Sequence, residues 1–322
     1  VQLSTVVQDT CMPAELRLEP CRAALNRVAG MPFRWSLNPY MGCAHRCTFC
    51  YVRAFERRAD RPSDDRYGRS VRVKTNVVER LEAELARPAW RREMVLVGAA
   101  TDPYQPAEAR FRLTRGCVEA FARHASPFSI ITRGPLVVRD VDVLQEAARV
   151  AAVSVSLSVP TLDEALWRLT EPATAPPRQR LRAVRKLAEA GIRVGVALAP
   201  ILPGLTDRPG LLADAVKAAR DAGAAKLWTE LLHLKPGTRE HFLETLAAVW
   251  PAEAGRLARA YAGRAYAPEP EARAHRARVA ALARAHPRAA GLPPAIEPEP
   301  PRFALQLGLA LEPGHASSPV RT

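Results

Sequence analysis

The sequence predicts an α/β fold in which a parallel sheet curves around a ligand and a helical region follows. Three observations lead there. Short apolar runs alternate six times with amphipathic stretches, which implies parallel strands joined by right-handed crossovers. Two of those runs carry small or hydroxylic residues along one face, whereas a sheet covered on both sides reads almost continuously apolar. Beyond residue 239 the pattern is helical without strands.

The strand candidates, in order, are Arg34–Tyr40, Met94–Thr101, Phe128–Arg133, Ala151–Val159, Arg193–Pro200 and Lys226–Leu232. In the fourth, Ser154, Ser156 and Ser158 share one face, with Val153, Val155, Leu157 and Val159 on the other. In the fifth, Gly195, Ala197 and Ala199 alternate with Val194, Val196 and Leu198. Helical patterns cover residues 48–58, 76–87, 111–124, 140–149, 177–190 and 208–222. The fifth of these puts Leu181, Val184, Leu187 and Ala188 on one face and ends at Gly191. In such a sheet the chemistry sits at the carboxyl ends of the strands. Residues 1–32 read as an irregular extension with weak helical content around Arg22–Val28, 33–238 as the sheet region, 239–287 as the helical region, and 288–322 as a Pro-rich tail that hugs the surface or stays disordered.

The chain has 322 residues, 48% hydrophobic and 25% charged, enough for a sizeable core. No run of about 18 apolar residues is present, so no membrane span is expected. The first residues lack a basic segment followed by an apolar core, so a cytoplasmic chain is expected. The net charge is +14, and all but five of the 47 basic residues are arginine. Such a charge suits a polyanionic partner, because arginine neutralises phosphate and releases counterions. It equally follows from a composition rich in Arg, Ala and Pro, and no basic block stands out.

Chemistry concentrates in "MGCAHRCTFCYVR". Cys43, Cys47 and Cys50 form C-x3-C-x2-C, crowding three of the six cysteines into eight residues. In a reducing compartment such a cluster points to a metal rather than to disulfides. Three arrangements fit the spacing. His45 can complete a Cys3His zinc site. Cys117, Cys11 or Cys21 can close an iron–sulfur cluster as fourth ligand. The third arrangement is a cluster with one iron left for an exchangeable ligand.

With Phe49 before the third cysteine, the motif resembles the signature of radical S-adenosylmethionine (radical SAM) enzymes. Six further stretches resemble the spore photoproduct lyase-like subgroup, in an actinobacterial-type branch: "ALNRVAGMPFRWSLNPYMGC", "TDPYQPAE", "ITRGPLVVRD", "EPATAPPRQRL", "GVALAPILPGLTD" and "LHLKPGTREHF". The resemblance implies a partial (β/α)6 TIM-type barrel, a [4Fe–4S] cluster on Cys43, Cys47 and Cys50, and S-adenosyl-L-methionine chelating the fourth iron. Reductive cleavage of that sulfonium yields a 5′-deoxyadenosyl radical that abstracts hydrogen. Within this frame Thr101 and Asp102 accept from the methionine ammonium, and Arg133 pairs with the carboxylate. Ser154 and Ser156 reach the ribose, Phe49 and the strand around Ala199 border the adenine, and Glu171 bonds a ribose or anchors a loop. Plainer roles stand beside these: a helix N-cap for Asp102, a surface salt bridge for Arg133 and a closed strand face for the serines.

The resemblance departs at two places. In the lyase a hydrogen-donor cysteine precedes the Ser/Thr-Asp pair, and tyrosines flank the third cysteine. Here Ala99 and Ala100 precede Thr101, and Phe49 stands across from Tyr51. Photoproduct reversal by the same relay is therefore not expected, and Tyr51 and Tyr104 are the redox-active candidates left for a catalytic role. Cys117 is expected in the core. The leading expectation is a monomeric radical enzyme fed by a reductant such as flavodoxin or ferredoxin. It acts by lyase-like or other radical chemistry on an unassigned substrate, with DNA, RNA or a nucleotide among the candidates. The alternative is a non-catalytic zinc or iron–sulfur protein that binds nucleic acid.

Overall fold

A computed structural model describes residues 14–298. The described residues start with four short strands: β1 (Glu15–Glu19), β2 (Leu25–Arg27), β3 (Trp35–Leu37) and β4 (Tyr40–Met41). The cysteine loop leads into α1 (Arg53–Arg58), followed by β5 (Ser70–Lys74) and α2 (Val77–Leu85). Then come β6 (Val95–Val97), α3 (Ala107–Phe111), α4 (Leu113–Arg123), β7 (Phe128–Thr132), α5 (Val141–Val150) and β8 (Val153–Ser158). The series continues with α6 (Glu164–Thr170), α7 (Pro177–Glu189), β9 (Val194–Ile201), α8 (Pro209–Asp221) and β10 (Lys226–Leu231). Helices α9 (Thr238–Ala247), α10 (Pro251–Ala260) and α11 (Glu269–Ala285) complete the described chain.

The main sheet has seven strands in the order β10-β9-β8-β7-β6-β3-β2. Its first six pair in parallel, and β2 adds an antiparallel edge on β3. These six are the strands expected from the alternation, in sequence order across the sheet. The sheet runs from edge to edge without closing, as a partial (β/α)6 barrel does. The alternation holds only in part: Val153, Val155 and Leu157 are buried against the helices and Ser129, Ile131, Ser154 and Ser156 are half-buried on the other side, but Ser158 is buried and β9 is buried on both faces as far as Leu198. The helix-side core joins the strands to α2, α4, α5, α7, α8 and α11.

Several expectations need correction. The segment 1–32 is not simply irregular: β1 pairs with β5, and β2 extends the main sheet, where helical content had been expected. A side chain explains part of this, since the Glu84 carboxylate accepts from Ala24 N and Leu25 N at 3.0 and 2.8 Å. The run Arg34–Tyr40 breaks at Asn38–Pro39 into β3 and β4. The helix expected from residue 48 begins only at Arg53, because residues 43–52 are spent on turns. Strand β5 and helices α3 and α6 carried too short a pattern to be read.

A second core joins Cys47 and Phe49 to Leu232, Leu234, Phe242, Leu246, Leu257 and Tyr261. The helices α9 and α10 therefore wall the cysteine loop. The described part of the Pro-rich tail hugs the surface, with Ala289 N on Arg220 O and Ile296 N on Gly191 O at 3.1 and 2.8 Å. Cys11, the N-terminal stretch read for a signal and the end of the tail lie outside the described residues. Among the described residues, no helix is long and apolar enough to cross a membrane.

Candidate functional site at the carboxyl ends of the strands

The cysteine loop bridges β4 and α1 at the strand ends. Cys43 and Cys47 are buried, Cys50 is half-buried, and all three are free thiols. They sense one another electrostatically: Cys43 feels Cys47 and Cys50, and Cys47 feels Cys50. Burial, before any of these neighbours, pushes the Cys43 thiol well up and that of Cys47 to about 12. A metal that takes such thiols must displace their protons.

The loop is clamped from the segment after β6. Thr101 Oγ1 donates to Gly42 O at 2.6 Å, and Gln105 Nε2 donates to Thr101 Oγ1 at 2.9 Å. Gln105 Oε1 accepts from Ala44 N at 2.9 Å. Gly98 makes this segment possible: its φ is +94°, and a Cβ there would stand 2.5 Å from Ile131 O.

Asp102 ties three elements together. Its carboxylate accepts from Thr132 Oγ1 and Arg133 N, each at 2.6 Å, and from Tyr104 N at 2.9 Å. His45 Nδ1 lies 3.2 Å away, close enough for an ion pair but off the axis of a formed hydrogen bond. Burial acts to raise the carboxyl, but His45, Thr132 and the Arg133 N–H outweigh it and hold Asp102 at about 2. The ordinary unfolded value is about 3.9. The stabilisation is therefore complete above about pH 4 and lost as pH falls toward 2, a contribution of about 2 kcal/mol. Urea unfolding across that window should show the loss in the native chain, and Asp102→Asn should remove both the increment and its pH dependence.

Beside Cys47 sits a second ionic assembly. Glu171, 1% exposed, takes Arg133 Nε at 2.6 Å and Arg180 Nη2 at 2.9 Å. Arg133 also donates from Nη2 to Ala199 O at 3.2 Å, and its Cζ lies 5.5 Å from the Phe49 ring centroid. Among the described residues no acceptor engages Arg133 Nη1, and the side chain is 20% exposed. Burial opposes the Arg133 charge, and Cys47 and Glu171 overcome that, so the guanidinium is held charged. One nitrogen of a fixed cation thus remains open next to the thiols.

The structure therefore brings Cys43, Cys47, Cys50, Phe49, Thr101, Asp102, Arg133, Glu171 and Ala199 to one place. Tyr51 joins them at the rim, 43% exposed, with its hydroxyl turned onto Ala99 O. Ser154 stands apart: its hydroxyl donates to Ser129 Oγ at 2.9 Å, at a register three residues below Thr132, roughly 10 Å down the sheet. Ser156 is paired with Ile131, nearer the strand ends. Tyr104 is 2% exposed in the helix-side core. Cys117 is buried in that same core, and Cys21 is held at Asn76, its N 2.7 Å from Oδ1, away from the three thiols. Among the described residues no three His, Cys, Asp or Glu side chains converge on the volume of a single ion. A shallow depression of about 470 Å³, lined by Arg178, Arg182, Arg185 and Asp221, lies on the outer helices and not at the strand ends.

The sequence reading missed Gln105, Arg180 and Glu108. Gln105 follows Thr101 by four residues, a spacing that could have marked it. Glu108 of "TDPYQPAE" is fully buried, accepting from Thr114 N at 2.9 Å and Tyr40 Oη at 2.5 Å. Arg180 is fully buried too, and nothing in a local pattern marks an arginine for the interior.

Residues 37–211 match the family model of the radical SAM superfamily. An uncharacterized protein of Mycobacterium tuberculosis is 38% identical over 265 residues, covering 81% of this chain and 78% of its own. One from Methanocaldococcus jannaschii is 27% identical over 174 residues, covering 54% of this chain and 62% of its own. A spore photoproduct lyase variant with bound AdoMet and dinucleoside spore photoproduct aligns at a TM-score of 0.56 and 16% identity, over 73% of this chain and 66% of that one. That last likeness speaks for the fold, and the first two findings for descent. On the cysteine loop, the partial barrel and these matches together, the chain belongs to the radical SAM superfamily.

Proposed function

We propose that this chain binds a [4Fe–4S] cluster through Cys43, Cys47 and Cys50, and S-adenosylmethionine beside it, to carry out hydrogen abstraction from a substrate. The reading rests above all on one observation: three free thiols on one loop cap the carboxyl ends of a parallel sheet. When bound, the cluster and S-adenosylmethionine supply one-electron cleavage of the sulfonium and a 5′-deoxyadenosyl radical.

The chain's residues bind and orient. The open Nη1 of Arg133 suits the methionine carboxylate, and Glu171 fixes the guanidinium plane from its other edge. Phe49 and Ala199, both in contact with Arg133, suit the adenine side. Thr101 and Asp102 are already bonded, so Thr101 acts mainly by holding the cysteine loop and Asp102 by holding the end of β7. Of the two serines, Ser156 is better placed for a ribose. Tyr51, at the rim, is the better candidate of the two tyrosines for returning a hydrogen atom.

The test is direct. Protein purified without oxygen should contain iron and sulfide, and should form 5′-deoxyadenosine from S-adenosylmethionine on addition of dithionite. A fully loaded protein that forms none overturns the reading. In the cell a flavodoxin or ferredoxin is the proposed electron donor. The charge of +14 supports DNA, RNA or a nucleotide as substrate. Affinity for duplex and single-stranded DNA should then fall log-linearly with salt, and absence of binding at low ionic strength overturns the nucleic-acid part.

A further inference from the structure

Arg53 follows Cys50 by three residues and opens α1, yet it is only 1% exposed. Its guanidinium donates to four backbone carbonyls: Cys47 O and Arg46 O at 3.2 Å, Ser63 O at 2.8 Å and Asp64 O at 2.5 Å. Two of these acceptors belong to the cysteine loop and two to the segment before β5. Among the described residues no carboxylate pairs with it. The nearby Asp64 and Asp65 are taken by Arg66 and Arg69 at 2.7 and 2.9 Å. His241, which also senses Arg53, is held at about 4 by burial first and Arg53 next, so it stays neutral near pH 7. Among the described residues, then, the cation under the loop has carbonyl acceptors but no ion-pair partner.

Tyr67 completes the arrangement. It is 3% exposed, its ring centroid lies 4.5 Å from Arg53 Cζ, and its hydroxyl is 3.4 Å from Cys50 Sγ. A ligating thiolate has no proton to give, so with Cys50 on a metal the hydroxyl is the donor. The segment is pressed onto the loop: Gly68 has φ +80°, and a Cβ there would stand 2.3 Å from Cys43 O.

The geometry points to Arg53 and Tyr67 as positioning residues that favour the reduced state of the cluster, and so raise its reduction potential. The inference rests on the cluster reading above. Each thiolate brings a negative charge and reduction adds one more. A buried cation and a hydrogen bond to a ligand sulfur both stabilise the more negative state, and outer ligands of this kind tune cluster potentials. Arg53 does so through charge next to Cys47 and Cys50, Tyr67 through its O–H on the Cys50 sulfur.

The experiment is a reductive titration of the anaerobically purified holoprotein with dithionite and mediators, followed by electron paramagnetic resonance, with iron and sulfide counted in each sample. Tyr67→Phe, which removes one oxygen, should load as the native chain does and be about tenfold harder to reduce, a midpoint more negative by about 59 mV for one electron. Arg53→Gln should shift in the same direction, and Arg53→Lys, which keeps the charge, should recover most of that shift. A fully loaded Tyr67→Phe protein with an unchanged midpoint overturns the role of Tyr67, and equal shifts for the Gln and Lys variants overturn the charge role of Arg53. A native chain that takes up no iron and sulfide overturns the cluster reading itself, and this inference with it.

Discussion

Replacing Cys43, Cys47 or Cys50 singly by alanine is expected to lower bound iron and to reduce 5′-deoxyadenosine formation to background, with the metal-free fold kept. The reason is stoichiometric. On the proposed cluster each thiolate would hold one iron, so losing any one of the three would leave the cluster short of a ligand. The fold survives because cysteine packs as a small hydrophobe, so each loss costs only about 1 kcal/mol in the metal-free chain. Cys117→Ala is the control. Cys117 is fully buried in the helix-side core, so its loss should cost about 1 kcal/mol while leaving iron content and product formation as they were. Iron and sulfide analysis, product chromatography and urea unfolding of the four variants decide the matter. A Cys117 variant that loses iron would restore the closed, four-cysteine cluster.

The second large effect falls on Arg180. Arg180→Met should destabilise the fold by about 3 kcal/mol, since it strips the buried Glu171 carboxylate of one of its two countercharges and leaves Arg133 alone to compensate it. The geometry gives the source of the loss. Arg180 donates to both Glu171 oxygens at 3.1 and 2.9 Å, to Ser158 O at 2.6 Å and to Ala175 O at 2.9 Å. With Arg180 gone, Glu171 has only Arg133, and the guanidinium is drawn onto that carboxylate. Weaker binding of S-adenosylmethionine should therefore accompany the lower urea midpoint. The two readouts separate the roles: an unchanged urea midpoint would show that Glu171 is not dependent on Arg180. The Glu171 carboxyl is itself held below its ordinary range, burial acting against Arg180 and Arg133, which outweigh it. Its stabilising share is thus present above the unfolded carboxylate value and fades as the pH drops below it.

Both effects bear on how far the chain can be read without coordinates. The six parallel strands were legible because short apolar or alternating stretches recur between helical patterns along the chain. The two-faced pattern of "VSVSLSV" was legible for the same reason, since side chains along a strand point alternately to opposite faces. Strands β2, β4 and β5 were not. They are short or mixed in polarity, and partners distant in sequence hold them, as Glu84 holds the start of β2. The cysteine loop was plain from its spacing, while its clamps were hidden. Thr101 and Asp102 looked like free acceptors in the sequence, and the structure finds both hydroxyl and carboxylate already bonded.

What the sequence by itself determined is the chemistry on offer: three thiols at C-x3-C-x2-C, an arginine at the end of the third parallel strand, and a sheet with one small-residue face. Those are local properties, set by residue type and by the periods of strand and helix. What only the tertiary structure decided is which polar groups are spent and which remain. It buries Arg180 against Glu171, turns Ser154 toward Ser129, puts Tyr67 on the Cys50 sulfur and leaves one nitrogen of Arg133 open. The physical reason is that hydrogen-bond and charge partners here come from residues nine to 38 positions apart, on different elements. Burial makes each such pairing obligatory, because an unpaired polar group in the interior is costly. No local pattern in the chain encodes which partner that will be.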